Sequence, residues 1–140
     1  MKDTLVSGLE YQHRFIVPES KIVRNLYPES ERFQDFPEVF ATGFMVGLME
    51  WACIELMAPH LDDGEGSLGV HINVSHEAPT PPGMTVSVEV RLDTIEKRIL
   101  TFAVEAHDGL DRIGRGHHQR AIILLDQFNE KVAKKAMRVV

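Results

Sequence analysis

ATGFMVGLMEWACIELMAPHL, Ala41 to Leu61, decides the fold. It reads as one helix of about five turns, closed at Pro59. Its apolar residues do not form a stripe. Phe44, Met45, Val46, Leu48, Met49, Trp51, Cys53, Ile54, Leu56 and Met57 point in nearly every direction. A helix that is apolar all round is buried on all sides, so the rest of the chain is expected to wrap it. One residue is out of character. Glu50 sits mid-helix with Val46, Gly47, Cys53 and Ile54 one turn away on its own face, and a buried carboxylate is costly unless paired or protonated. Glu55 points about 140° away, toward solvent. Thr42, just before Gly43 and the apolar run, suits an N-cap. The N–H groups of a helix start also make a seat for a polarised carbonyl or an anion.

The chain has 140 residues, 44% hydrophobic and 26% charged. That composition fits a single globular domain, 1–140, with an ordinary core. A net charge of −6 argues against a nucleic-acid surface. Met1 to Gly8 lacks the apolar centre of a secretion signal. The longest apolar run contains Glu50 and Glu55, too mixed for a membrane span. The single cysteine, Cys53, has no internal disulfide partner and falls inside the apolar helix. It reads as an inert core thiol, and its presence fits a reducing, cytoplasmic setting.

Around the helix the sequence alternates as strands do. Leu9 to Val17 reads as a first strand ended by Pro18. Lys21 to Glu31 is a short helix or loop around Val23 and Leu26, broken at Pro28. Phe33, Phe36 and Phe40 then follow closely; they either staple the chain to the start of the helix or cover a pocket at Thr42. After the glycine-rich loop Asp62 to Gly69, Val70, Ile72 and Val74 share one strand face, and His76 is in phase with them. If that face packs on the helix, His76 aims at Glu50 or Thr42; otherwise it is a core histidine with a local hydrogen bond. Past the PTPPG turn, Val86, Val88, Val90 and Leu92 alternate inward, as do Leu100, Phe102, Val104 and Ala106. Asp108-Gly109 is a turn signal. The last strand, Ile113 to Leu125, carries Gly114 and Gly116, marks of a bulge or a close backbone approach. Arg120 shares a face with His118, Ile122 and Leu124. It either snorkels at a sheet edge or pairs with an acid or a phosphate. His117 and His118 are adjacent and point to opposite faces, so no metal site is expected there. Asp126 to Val140 reads as a basic, solvated end, in part helical.

One strand, a long helix, then four strands on short connections favour antiparallel neighbours. An antiparallel sheet curled round one central helix is an α+β solution to burying it: the hotdog fold. Sheet edges and the incomplete cover of one helix point to a homodimer.

At these residues the chain also resembles a known family. FPEVFATGFMVGLMEWAC (Phe36 to Cys53), GEGSLG (Gly64 to Gly69), the TPPG turn and RIGRGHHQR look like the fluoroacetyl-CoA thioesterases, hotdog-fold hydrolases. The likeness covers nearly the whole chain; departures lie at Met84, His71 and the terminal Arg138-Val139-Val140. The resemblance implies hydrolysis of a short acyl-CoA thioester, without cofactor or metal. It implies catalytic roles for Thr42, Glu50 and His76, substrate contacts from Gly69 and Arg120, and a pocket cover of Val23, Leu26, Phe33 and Phe36. Glu50 is then a nucleophile or a base positioning water, with His76 moving protons. A second route has His76 or Glu50 remove an α-proton that fluorine acidifies. Two other classes compete. A hotdog hydratase or dehydratase would need an Asp and His pair under a long loop, which is missing around His76. A non-catalytic acyl-CoA binding module would keep Arg120 and the apolar pocket but has no need of Glu50. A general short-chain thioesterase without fluorine selectivity would share the same triad.

Overall fold

The computed structural model describes residues 1–139. Five antiparallel strands form one sheet in the order β1-β3-β4-β5-β2. They are β1 (Glu10–Ile16), β2 (Glu65–Val74), β3 (Thr85–Glu96), β4 (Ile99–His107) and β5 (Arg112–Leu124). Two short helices, α1 (Val23–Leu26) and α2 (Glu31–Gln34), precede the long helix α3 (Thr42–Met57), which runs on as a 3-10 turn, Ala58–His60. A last helix, α4, spans Leu125–Ala136. No helix among the described residues is long and apolar enough to cross a membrane. The hotdog arrangement of a central helix on a curved antiparallel sheet is the one expected from the order of elements.

The core follows the alternation. Val86, Val88, Val90 and Leu92 of β3 and Leu100, Phe102, Val104 and Ala106 of β4 are all buried. They meet Met45, Leu48, Met49, Ala52, Cys53, Leu56 and Met57 of α3, which recur every three or four residues and so form one face. Here the structure corrects the expectation of a helix wrapped on all sides. One half of α3 is buried; Gly43, Gly47, Trp51 and Ile54 are exposed. The helix is apolar on two faces, and this chain covers only one of them. Cys53 lies wholly within the covered face, where burial pushes its thiol up to about 12, far from a reactive thiolate.

β2 also departs from expectation. It begins at Glu65 rather than Val70, so the glycine-rich stretch is strand and only its first residues are loop. The register shifts between Gly69 and His71, leaving Val70 as the extra residue of a bulge. Val70 is 53% exposed, and Ile72 is exposed beside it, although Ile72 pairs with buried His118. The reason is position: β2 is an edge strand, and α3 lies chiefly across β1, β3 and β4.

The glycines of β5 mark a close approach. A side chain at Gly116 (φ +155°) would stand 1.9 Å from the Asn73 carbonyl oxygen, and one at Gly114 would stand 2.5 Å from that of Ser75. Absence of Cβ lets β5 press on β2 and on the segment that carries His76.

The start of α3 is held by backbone bonds from three sides. Val23 N–H donates to Val39 O, Phe40 N–H to Thr80 O, and Ala41 N–H to Lys21 O. Thr80 is fully buried, and its hydroxyl donates to Asp108 Oδ2 at 2.9 Å. Asp108 Oδ1 accepts from the N–H groups of Leu110 (3.0 Å) and Asp111 (2.8 Å), a side-chain-capped turn. Burial raises the Asp108 carboxyl, but these hydrogen bonds outweigh it and hold the group below its usual value. The sign of the pH effect follows. A carboxyl with a depressed folded-state pKa stabilises fully above the unfolded value of about 3.9, and that stability is lost as pH falls through the folded value. Asp108→Asn is expected to lower stability by about 1–3 kcal/mol at neutral pH. Urea denaturation of both proteins at several pH values checks this: the gap narrows only below about pH 4.

α4 carries no buried residue and has Lys134 and Lys135 in its last turn, in line with a solvated basic end. Val140 lies outside the described residues.

Candidate active site

Thr42 is the first residue of α3, and its hydroxyl does not cap the helix. Ala41 takes the N-cap position without any side-chain bond. Thr42 Oγ1 lies 2.6 Å from His76 Nδ1 instead. The expectation of an N-cap threonine is therefore corrected: a hydroxyl that could satisfy the first turn is committed to an imidazole. The first intrahelical bond is Met45 N–H to Ala41 O. The N–H groups of Thr42, Gly43 and Phe44 precede it and point out of the helix start. A partial positive charge thus faces the Thr42–His76 pair.

His76 follows the end of β2 and is fastened by backbone bonds on both sides, Ser75 N–H to Arg115 O and Glu77 N–H to Ile113 O. Desolvation lowers its pKa from the ordinary histidine value, so the ring is neutral near pH 7 and able to take a proton. Its Nε2 is buried without a hydrogen-bond partner. A buried orphan nitrogen is costly, and this one lies on the ring that Thr42 touches.

Glu50 takes a different partner. Its Oε1 accepts from Arg120 NH1 at 3.0 Å, and the Glu50 side chain is 37% exposed. The sequence expectation of a fully buried acid is corrected, because α3 is open on that side. Arg120 is the buried member, at 4% exposure. Its Nε donates to Ser67 Oγ (2.9 Å), its NH2 to Ser67 O (3.1 Å), and its NH1 also reaches His118 Nε2 (3.1 Å). Of the two readings open for Arg120, the pairing with an acid is the one present. Gly69 makes room for this pair. A Cβ there would stand 2.5 Å from Glu50 Oε1 and 3.5 Å from Arg120 NH1, so a side chain would displace the carboxylate.

Within one chain, Glu50 and the Thr42–His76 pair are separate. They stand eight residues apart on α3, about 12 Å of helix rise. The cover is split as well. Phe40 is core. Phe33 and Phe36 have ring centroids 5.9 Å apart, Phe36 is half exposed, and Tyr27 meets Phe33 edge-on at 5.6 Å. Leu26 lies over Gly43: a Cβ on Gly43 would meet Leu26 Cδ2 at 2.9 Å. Val23 is half-buried beside it. Gln34 Nε2 reaches the carbonyls of Arg24, Tyr27, Pro28 and Ser30, tying α1 to α2. So Leu26 covers the start of α3, and Phe33 lies between Tyr27 and Phe36 in one aromatic cluster.

Ser67 and His118 escaped the sequence reading. His118 was placed on the inner face with Arg120 but weighed only as a metal ligand, since periodicity reports a face and not a partner. A groove of about 1050 Å³ lies on the outer face of the sheet, lined by Glu89, Arg91, Glu105 and His117 among others. It touches none of Thr42, Glu50, His76 and Arg120.

A sequence profile described as the fluoroacetyl-CoA-specific thioesterase, FlK, matches residues 22–126. The chain is 58% identical over 135 residues to the fluoroacetyl-CoA thioesterase of Streptantibioticus cattleyicolor, covering 96% of this chain and 97% of that one. Among solved structures, a T42A mutant of fluoroacetyl-CoA thioesterase FlK in complex with fluoro-acetate superposes with a TM-score of 0.92. It is 57% identical over 94% of this chain and 98% of that one. An F36A mutant in complex with fluoroacetate and CoA gives 0.87 at 57% identity, over 89% and 99% of the two chains. The chain is a thioesterase and belongs to the fluoroacetyl-CoA-specific thioesterase family.

Proposed function

We propose that this chain hydrolyses fluoroacetyl-CoA to fluoroacetate and CoA. The observation that carries the reading is the 2.6 Å contact between Thr42 and His76 at the open first turn of α3. In this reading the thioester carbonyl lies against the N–H groups of that turn, which stabilise developing oxyanion charge. His76, kept neutral by burial, takes and returns the proton. Glu50 attacks the carbonyl or activates water, held in place by Arg120 and given room by Gly69. In this reading Val23, Leu26, Phe33 and Phe36 roof the site and exclude water. Selectivity over acetyl-CoA then belongs to the transition state. A small apolar pocket gains only about 1–3 kcal/mol from one small group, whereas fluorine polarises the carbonyl and the α C–H where charge develops.

The working unit in this proposal is a homodimer. The uncovered half of α3, and the exposed Leu68, Val70 and Ile72 on the edge strand β2, are apolar surfaces that a second copy would cover. Such a contact brings Glu50 of the partner subunit to the Thr42–His76 pair and closes the gap of two helical turns.

The test is thiol release from fluoroacetyl-CoA and acetyl-CoA, side by side, on the purified protein. Fast release from the fluorinated substrate with slow release from acetyl-CoA is expected. Equal release from both would make it a general short-chain thioesterase. No release from either would leave an acyl-CoA binding module.

A further inference from the structure

A second layer of polar groups stands behind Glu50. His118 on β5 is buried, at 2% exposure. Its Nδ1 lies 2.7 Å from the His71 carbonyl oxygen. A carbonyl only accepts, so Nδ1 carries the proton. In the neutral ring Nε2 is then bare, and it accepts from Arg120 NH1 at 3.1 Å. That same NH1 donates to Glu50 Oε1 at 3.0 Å. Each nitrogen of the guanidinium is therefore engaged: Nε and NH2 on Ser67, NH1 between Glu50 and His118.

We propose that His118 is a positioning residue for hydrolysis: fixed by the His71 carbonyl, it orients Arg120 NH1 and through it the Glu50 carboxylate. The inference rests on Glu50 acting in thioester hydrolysis. The chain of contacts crosses three elements, from the β2 backbone through two β5 side chains to α3. Without the Nε2 acceptor, one N–H of a buried guanidinium is left unsatisfied. Its fork is then free to turn, and a carboxylate misplaced by even 1 Å loses much of its effect. The groups facing the ring are Arg120 on its own strand, Glu50 from α3 and His71 from β2. Desolvation and the Arg120 charge both keep His118 neutral. Hence its 3.8 Å approach to Glu50 is no ion pair.

The two ring nitrogens can be replaced separately. Gln at 118 puts an amide oxygen near the place of Nε2 and retains the acceptor for Arg120. Asn reaches only the place of Nδ1 and retains the donor for His71. His118→Asn is expected to lower kcat for fluoroacetyl-CoA by about tenfold or more with KM within about threefold, and His118→Gln to restore kcat to within about threefold of wild type. Melting temperatures are measured alongside. Wild-type kcat in His118→Asn, or equal losses in both variants that track their melting temperatures, overturns the proposal. Should His118→Asn fail to fold, His118→Phe keeps a ring in the same place and removes both nitrogens. A fall in kcat at constant KM supports the relay, and wild-type kcat overturns it. Glu50→Gln, run in parallel, separates the two readings. If it retains turnover, the role of Glu50 has fallen. If it is dead while His118→Asn is wild type, only the positioning inference has fallen.

Discussion

Glu50→Gln is expected to lower kcat for thiol release on the order of 10³-fold or more, with the fold retained. The substitution preserves shape and an oxygen for Arg120 NH1 to donate to, so the 3.0 Å contact survives as a neutral hydrogen bond. What it removes is the charge that attacks a carbonyl or deprotonates water. The cost to stability is small because the Glu50 side chain is 37% exposed. Arg120 also has two bonds to Ser67 that do not involve the carboxylate. About 1 kcal/mol is a fair expectation. Steady-state thiol release together with circular dichroism and a thermal melt checks it. A kcat within tenfold of wild type would remove Glu50 from the mechanism, whatever the melt shows.

Mixing two dead proteins is expected to restore activity. If the partner's Glu50 serves the Thr42–His76 pair, then in a heterodimer of Thr42→Ala and Glu50→Gln one site carries both defects and the other carries neither. Random exchange of subunits makes half of the dimers mixed, each with one intact site of two, so activity returns to about a quarter of wild type. Were the site built within one chain, every site in the mixture would have a lesion and nothing would return. The expectation rests on the eight-residue separation along α3, about 12 Å of rise, and on the apolar half of the helix that this chain leaves uncovered. Co-refolding the two variants, then assaying thiol release beside each alone, decides it. Sedimentation of the wild type gives the size of the particle independently.

Much of the fold was legible because period-2 burial leaves a plain record. β3 and β4 lie where Val86 to Leu92 and Leu100 to Ala106 alternate, and every one of those inward residues is buried. β2 was misread in its extent because glycines that look like loop, Gly66 and Gly69, are strand residues that lack a side chain for lack of space: Leu125 and Glu50 occupy it. The roof was half legible. Three close phenylalanines left a staple and a pocket cover equally open, and only contacts assign Phe40 to the core and leave Phe33 and Phe36 stacked together outside it.

Residue order alone was enough to lay a long helix against an antiparallel sheet, and to mark Glu50, His76 and Arg120 as out of character for their positions. Those are local properties: periodicity sets the face, and a polar group on an apolar face stands out wherever the chain goes. The pairing came from packing. Thr42 went to His76 rather than to its own helix, Glu50 went to Arg120 rather than to His76, and His118 became the brace behind them. Each of these contacts joins residues from different elements, and their distances depend on strand register, on the bulge at Val70 and on where α3 crosses the sheet. None of that is written in the spacing of residues along the chain, because hydrogen bonds need approach to within about 3 Å, and only the packed fold sets distances that fine.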